Sequence, residues 1–140
     1  MGRKKIGTSG NQVLSLRYPM VWWLSGFGLL VLVAAGSLMP GGGVVIGFEH
    51  SDKIVHVLSY FVLIVWFAGL YAKGRCKKIA LFLIVFGVLL EFIQAQLPYR
   101  MFDPLDIIAN TGGIVLGLLL STFILGGWCQ RVEMLLGNSD

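Results

Sequence analysis

Long apolar runs separated by short polar connections dominate the chain, and four of them approach the ~20 residues that cross ~30 Å of hydrocarbon. They cover about residues 20–39, 54–72, 79–97 and 104–127. Trp22 and Trp23 open the first, as aromatic residues do at a membrane interface, and Pro40 with Gly41, Gly42 and Gly43 closes it. Pro98 stops the third, Pro104 starts the fourth, and Trp128 stands at its far boundary. The pattern predicts an all-α, polytopic membrane protein: four transmembrane helices in an antiparallel bundle, because all three connections are short. Residues 1–19 form an N-terminal segment and 128–140 a C-terminal tail. A cleaved signal peptide is the competing reading of the first run, given Arg3, Lys4 and Lys5. The run is longer than a usual signal core and no small-x-small cleavage site follows, so a retained span is expected.

The polar positions inside these runs are not scattered. Asp52, His56 and Tyr60 recur at i, i+4, i+8, with Lys53 beside them, and share one face of the second helix. Glu91 and Gln94 share a face of the third. Asp103, Asp106 and Asn110 do so at the start of the fourth. At ~1.5 Å per residue, His56 lies about 6 Å in from Asp52, Glu91 about 9 Å in from Leu97 and Asn110 about 9 Å in from Pro104. Three helices thus place polar groups in one shallow layer at one end. An ionisable group at mid-membrane costs about 2.5–3.5 kcal/mol, so these faces are expected to converge on one another rather than on lipid. Gly113 and Gly117 form a GxxxG stripe that lets the fourth helix pack closely, and Gly41 to Gly43 predict a flexible loop.

Composition agrees: 56% of residues are hydrophobic and 13% charged, with a mean hydropathy of +0.82, against about 25% charge in a soluble domain. At 140 residues the chain has no room for a second domain. The net charge of +4 comes as clusters beside apolar runs, without the basic stripe or motif of a nucleic-acid binder. Arg3, Lys4, Lys5 and Arg17 precede the first run, and Lys73, Arg75, Lys77 and Lys78 separate the second and third. Lys53 and Arg100 are the only bases in the other connections. The positive-inside tendency therefore predicts both termini and the 73–78 loop in the cytoplasm, with 41–51 and 98–103 outside. Cys76 and Cys129 have neither CxxC nor Cys/His spacing, which argues against a disulfide framework or zinc site.

Each polar residue has a purely structural reading. Asp52 and Asp103 are good helix N-caps, the latter with proline following. Tyr60 can pack its ring, Gln94 can tie helices, and a His–carboxylate pair can lock a bundle. Glu91, His56 and Asp106 are the hardest to explain by capping.

In order, Asp52-Lys53-x-x-His56-x-x-x-Tyr60, Glu91-x-x-Gln94 and Pro98-x-Arg100-x-x-Asp103-x-x-Asp106-x-x-x-Asn110-x-x-Gly113-x-x-x-Gly117 resemble the VanZ-like family of membrane proteins. Val57 departs from the aromatic residue expected after the histidine. The resemblance covers about residues 52–121. It implies a multi-pass protein of the bacterial cytoplasmic (inner) membrane connected with the cell envelope, in a family named from glycopeptide resistance. It does not imply a reaction.

The chemistry of the layer suggests one. Two helix N-termini, Lys53 and Arg100 would seat a phosphate. His56, with Glu91 or Asp106 orienting it, would move protons near neutral pH. The expected function is an outer-face site binding, and acting on, a phosphorylated lipid or lipid-linked envelope precursor. His56, Glu91 and Asp106 would be its catalytic residues, and Asp52, Lys53, Tyr60, Gln94, Arg100, Asp103 and Asn110 its substrate contacts. A divalent-metal site of His56, Glu91, Asp103 and Asp106 is a weaker expectation, since no local ligand motif is present. A non-enzymatic scaffold or regulator with a structural polar cluster is the alternative. The sequence names no cofactor. The expected partners are the membrane and its lipids or precursors, not nucleic acid, with a homo-oligomer allowed.

Overall fold

The computed structural model describes residues 14–40, 51–71 and 73–137. Within them the chain is all-α: α1 (Pro19–Leu38), α2 (Ser51–Leu70), a short 3-10 turn (Lys73–Arg75), α3 (Cys76–Gln94), α4 (Pro104–Leu120), a π-helical turn (Ser121–Leu125) and α5 (Trp128–Gly137). The expected 41–43 loop and the first basic cluster, Arg3 to Lys5, fall outside the described residues.

The molecule is polar within and apolar without. Phe27, Leu32, Phe82, Ile108 and Phe123 are each more than half exposed, whereas Glu91, Gln94, Asp106 and Asn110 are buried. A water-soluble protein reverses that distribution, and a bilayer is the surrounding that stabilises it. α1, α2 and the stretch Pro104–Leu125 are each long and apolar enough to cross a membrane. α3 has 19 residues and carries Lys77, Lys78 and Glu91. With three such spans, this is a multi-pass membrane protein.

Two helices differ in their bounds from the sequence expectation. α2 begins at Ser51, so Asp52, Lys53 and His56 occupy its first two turns. α3 is displaced toward the N-terminus and stops at Gln94 rather than near Leu97. Pro98 disfavours helical backbone in the residue before it, and the chain passes through turns over 95–99. Glu91 therefore lies in the last turn of α3, not two turns deep.

α2 is the central element, packed against α1, α3, α4 and α5. Its closest neighbour is α4, and glycine makes that approach feasible. A Cβ at Gly113 would stand 2.1 Å from the Val57 carbonyl oxygen, and one at Gly117 2.3 Å from Ile64 Cγ2. The apolar core of Leu63, Ile64, Phe67, Leu83 and Ile114 lies behind this contact.

At the end away from the polar residues, Trp22, Trp66 and Trp128 form a triangle with ring centroids 5.4–5.7 Å apart. The indole N–H of Trp128 donates to Val65 O at 3.0 Å. Gly127, at φ +69°, turns the chain into α5, a left-handed conformation that glycine adopts without strain. α5 then returns to the start of α1. Tyr18 offers no side-chain cap there. Glu133 fastens the entry to the helix instead, accepting from the N–H groups of Arg17 and Tyr18 and from the Trp22 indole. Desolvation works to raise the Glu133 carboxyl, but those donors outweigh it and hold the group below its ordinary pKa.

Candidate functional site

The first turns of α2 and α4 meet at the opposite end, and their polar faces interlock. The Lys53 ammonium contacts three carboxylates: Asp103 and Asp106 at 2.5 Å and Asp52 at 2.9 Å. One turn further in, His56 Nδ1 lies 3.0 Å from Asn110 Oδ1 and His56 Nε2 lies 3.5 Å from Asp106 Oδ2. This register follows from the helical period. Asp52 and His56 are one turn apart on α2, Asp106 and Asn110 one turn apart on α4, and the two pairs face each other. Exposure falls along the same line, from 50% for the Asp52 side chain to 11% for Asp106. The cluster thus has an accessible rim and an enclosed floor.

Asp103 does two things at the rim. Its Oδ1 accepts from Leu105 N at 2.9 Å, capping α4 ahead of Pro104 as its sequence position suggested. Its Oδ2 holds Lys53. The ammonium beside it, then the Leu105 N–H, keep the Asp103 carboxyl below the usual carboxylate range.

Several candidates have other partners. Glu91 is buried and accepts the backbone N–H of Asp103 at 2.7 Å. Through this bond Glu91 fastens the α3–α4 connection by its backbone. It remains within electrostatic range of His56 and Asp106. Gln94 donates to Ser37 O at 2.8 Å and Ser37 Oγ at 3.0 Å. Arg100 donates to the same Ser37 carbonyl at 2.8 Å, and Tyr99 OH to Leu38 O at 3.0 Å. These three satisfy carbonyls in the last turn of α1, which helix geometry leaves without intrahelical donors. Arg100 is thereby tied to α1. Tyr60 is buried, with its hydroxyl unpartnered among the described residues. It lies against Gly87 of α3, where a Cβ would stand 3.0 Å from that hydroxyl and 3.2 Å from Asn110 Nδ2.

Sequence reasoning missed Ser37 and Gly87. A serine near a helix end and a glycine in an apolar helix are common, and only the close approach of a neighbour distinguishes them.

Chemically, Asn110 Oδ1 can accept Nδ1–H, which leaves the Nε2 lone pair facing Asp106. Nε2 can then take a proton and Asp106 can stabilise the imidazolium. The carboxylates outnumber the cations. Asp52, Asp103 and Asp106 each offer an oxygen within 4.8 Å of the others, an oxygen donor set suited to a hard divalent cation. This differs from the ligand set expected from sequence, as Asp52 replaces His56 and Glu91. Lys53 contacts the same three carboxylates and would compete with a metal for them.

A family model described as VanZ/LLP1 matches residues 13–125. Uncharacterized protein C11E3.10 of Schizosaccharomyces pombe (strain 972 / ATCC 24843) is 37% identical over 75 residues, covering 51% of this chain and 46% of that protein. The chain thus spans about half the length of that relative. No solved structure matches.

Proposed function

The chain belongs to the VanZ/LLP1 family, and we propose that it forms an antiparallel four-helix membrane bundle whose outer-end site binds, and acts on, a phosphorylated lipid or lipid-linked precursor. The observation that carries this reading is His56, fixed between Asn110 and Asp106 directly beneath the N-termini of α2 and α4. Orientation rests on charge. Arg17, Arg75, Lys77, Lys78 and Arg131 belong to the tryptophan end, which the positive-inside tendency assigns to the cytoplasm. The polar end then faces out. The resemblance favours a bacterial cytoplasmic membrane, although the fission-yeast relative means that similar chains are not confined to bacteria.

Lys53 and the helix N-termini attract a phosphate at the rim, and His56 acts as the base behind it, with Asp106 stabilising its charged form. Arg100 contributes by holding the α1 end in place instead of by touching the anion. His56→Gln and Asp106→Asn in proteoliposomes containing a phosphorylated-lipid extract test the reading. Head-group turnover, followed by mass spectrometry, is expected to fall about 10²–10⁴-fold, the usual worth of a positioned acid–base group. Membrane accumulation and unfolding temperature should stay near wild type. Variants that fail to accumulate would assign the cluster to a structural lock in a scaffold or regulator.

A second reading rests on the acid excess: a divalent cation seated on Asp52, Asp103 and Asp106 admits the phosphate as its metal salt. Chelation separates the two. Turnover that survives EDTA supports the Lys53-based site, and turnover lost to EDTA and restored by magnesium or calcium supports the metal.

A further inference from the structure

The strongest feature outside the polar site is a slot of about 480 Å³ at the tryptophan end, between α1, α2 and α3. Its walls are Trp23 and Leu30 of α1, Phe67 and Tyr71 of α2, and Ile79 and Phe82 of α3. The volume falls in the range of about 300–1,000 Å³ usual for small-molecule sites. Trp23 is 39% and Phe82 54% exposed, so the slot lies open along an apolar outer face rather than inside the core.

Its basic end is what separates it from a packing gap. Arg75 and Lys78 complete the lining. The Arg75 guanidinium stands over the Tyr71 ring at 5.4 Å, an arrangement that holds the side chain on the slot wall. Arg75 Nε is buried and lacks a hydrogen-bond partner among the described residues. No carboxylate lines the slot among the described residues. Two cations therefore sit at the end of an apolar groove, beside the first turn of α3.

We propose that this slot binds one anionic phospholipid of the cytoplasmic leaflet, with an acyl chain between Trp23, Leu30 and Phe82 and the phosphate on Arg75 and Lys78. The charge pattern matches that occupant from end to end. Basic side chains attract the anionic lipid surface, guanidinium and ammonium groups bond phosphate oxygens, and the aromatic walls replace neighbouring acyl chains. The proposal depends on the orientation given above but not on any chemistry at His56. A free phosphate or a soluble anion would leave the apolar walls unused.

The full-length protein in nanodiscs of phosphatidylcholine doped with phosphatidylglycerol provides the test, with retained lipid counted by native mass spectrometry. Wild type should keep one phosphatidylglycerol in preference to phosphatidylcholine. R75Q/K78Q should reduce that preference about thirtyfold, the scale expected for losing two interfacial cations. Ile79→Trp keeps both charges and fills the slot, and it should displace the same lipid. Head-group turnover by R75Q/K78Q should stay at the wild-type level, because neither residue belongs to the polar site, so failure of the polar-site reading and failure of this one are distinguishable. Equal retention of the two lipids by wild type would overturn the proposal, as would unchanged preference in R75Q/K78Q. Displacement of the lipid by inorganic phosphate alone would also overturn it, by showing that the apolar walls contribute nothing.

Discussion

Lys53 sets the character of the polar end, because one ammonium holds together three carboxylates drawn from α2 and α4. Its hold on Asp103 gives stability a pH dependence. The folded pKa of Asp103 lies below its unfolded value, which is about 3.9. The contribution is therefore complete above that value and is lost as pH falls through the lowered one. Asp103 is partly solvated, so screening keeps the effect small. The unfolding temperature of the detergent-solubilised protein should drop below about pH 4. Asp103→Asn, which keeps an N-cap oxygen, should flatten that drop in a thermal-shift titration. At this scale, Asp52, Lys53, His56, Asp103, Asp106 and Asn110 were legible in the sequence, because the spacing that puts side chains on one helix face also brings them together. The partners of Glu91, Gln94 and Arg100 were not. They bond backbone groups of Asp103 and Ser37, and no pattern of side chains reveals which carbonyl or N–H lies opposite.

Among the elements, the α2–α4 contact is the tightest. Adding a methyl at Gly113 forces Cβ against a backbone oxygen rather than a movable side chain. Gly113→Ala should destabilise by about 1–3 kcal/mol, the cost of overpacking, whereas nothing lies within 4 Å of a Cβ at Gly112. Gly112→Ala should leave the unfolding temperature unchanged. If the two variants melt alike, close packing at Gly113 is not what joins these helices. The GxxxG stripe announced this contact in the sequence. α5 was not announced: sequence alone could not decide whether the tail is helical, since its docking rests on Glu133 reaching backbone N–H groups more than a hundred residues away. Cys129 on α5 is buried, and desolvation pushes its thiol up to about 12. In a Cys76→Ser background, maleimide should label Cys129 slowly at neutral pH, and Glu133→Ala should accelerate labelling by loosening α5. Equal rates would mean that Glu133 does not hold the helix.

Across the whole molecule, the two ends are built from different chemistry. One end is aromatic and basic, with Trp22, Trp66 and Trp128 packed together. The other is a carboxylate-rich cluster whose exposure declines inward from Asp52. The apolar exterior between them was evident from composition, and so was the asymmetry. The boundaries of α2 and α3 were not, because hydropathy marks where lipid begins and a helix continues past that point until a proline or a cap stops it. On the proposed reading, the cluster works on a lipid head group through His56 instead of only joining helices. Its most direct test is the lipid profile of proteoliposomes before and after incubation, for wild type and His56→Gln at matched unfolding temperature. Wild type should deplete a phosphorylated lipid and generate a matching product, and His56→Gln should do so about 10²-fold more slowly or worse. Identical profiles for the two proteins would contradict it.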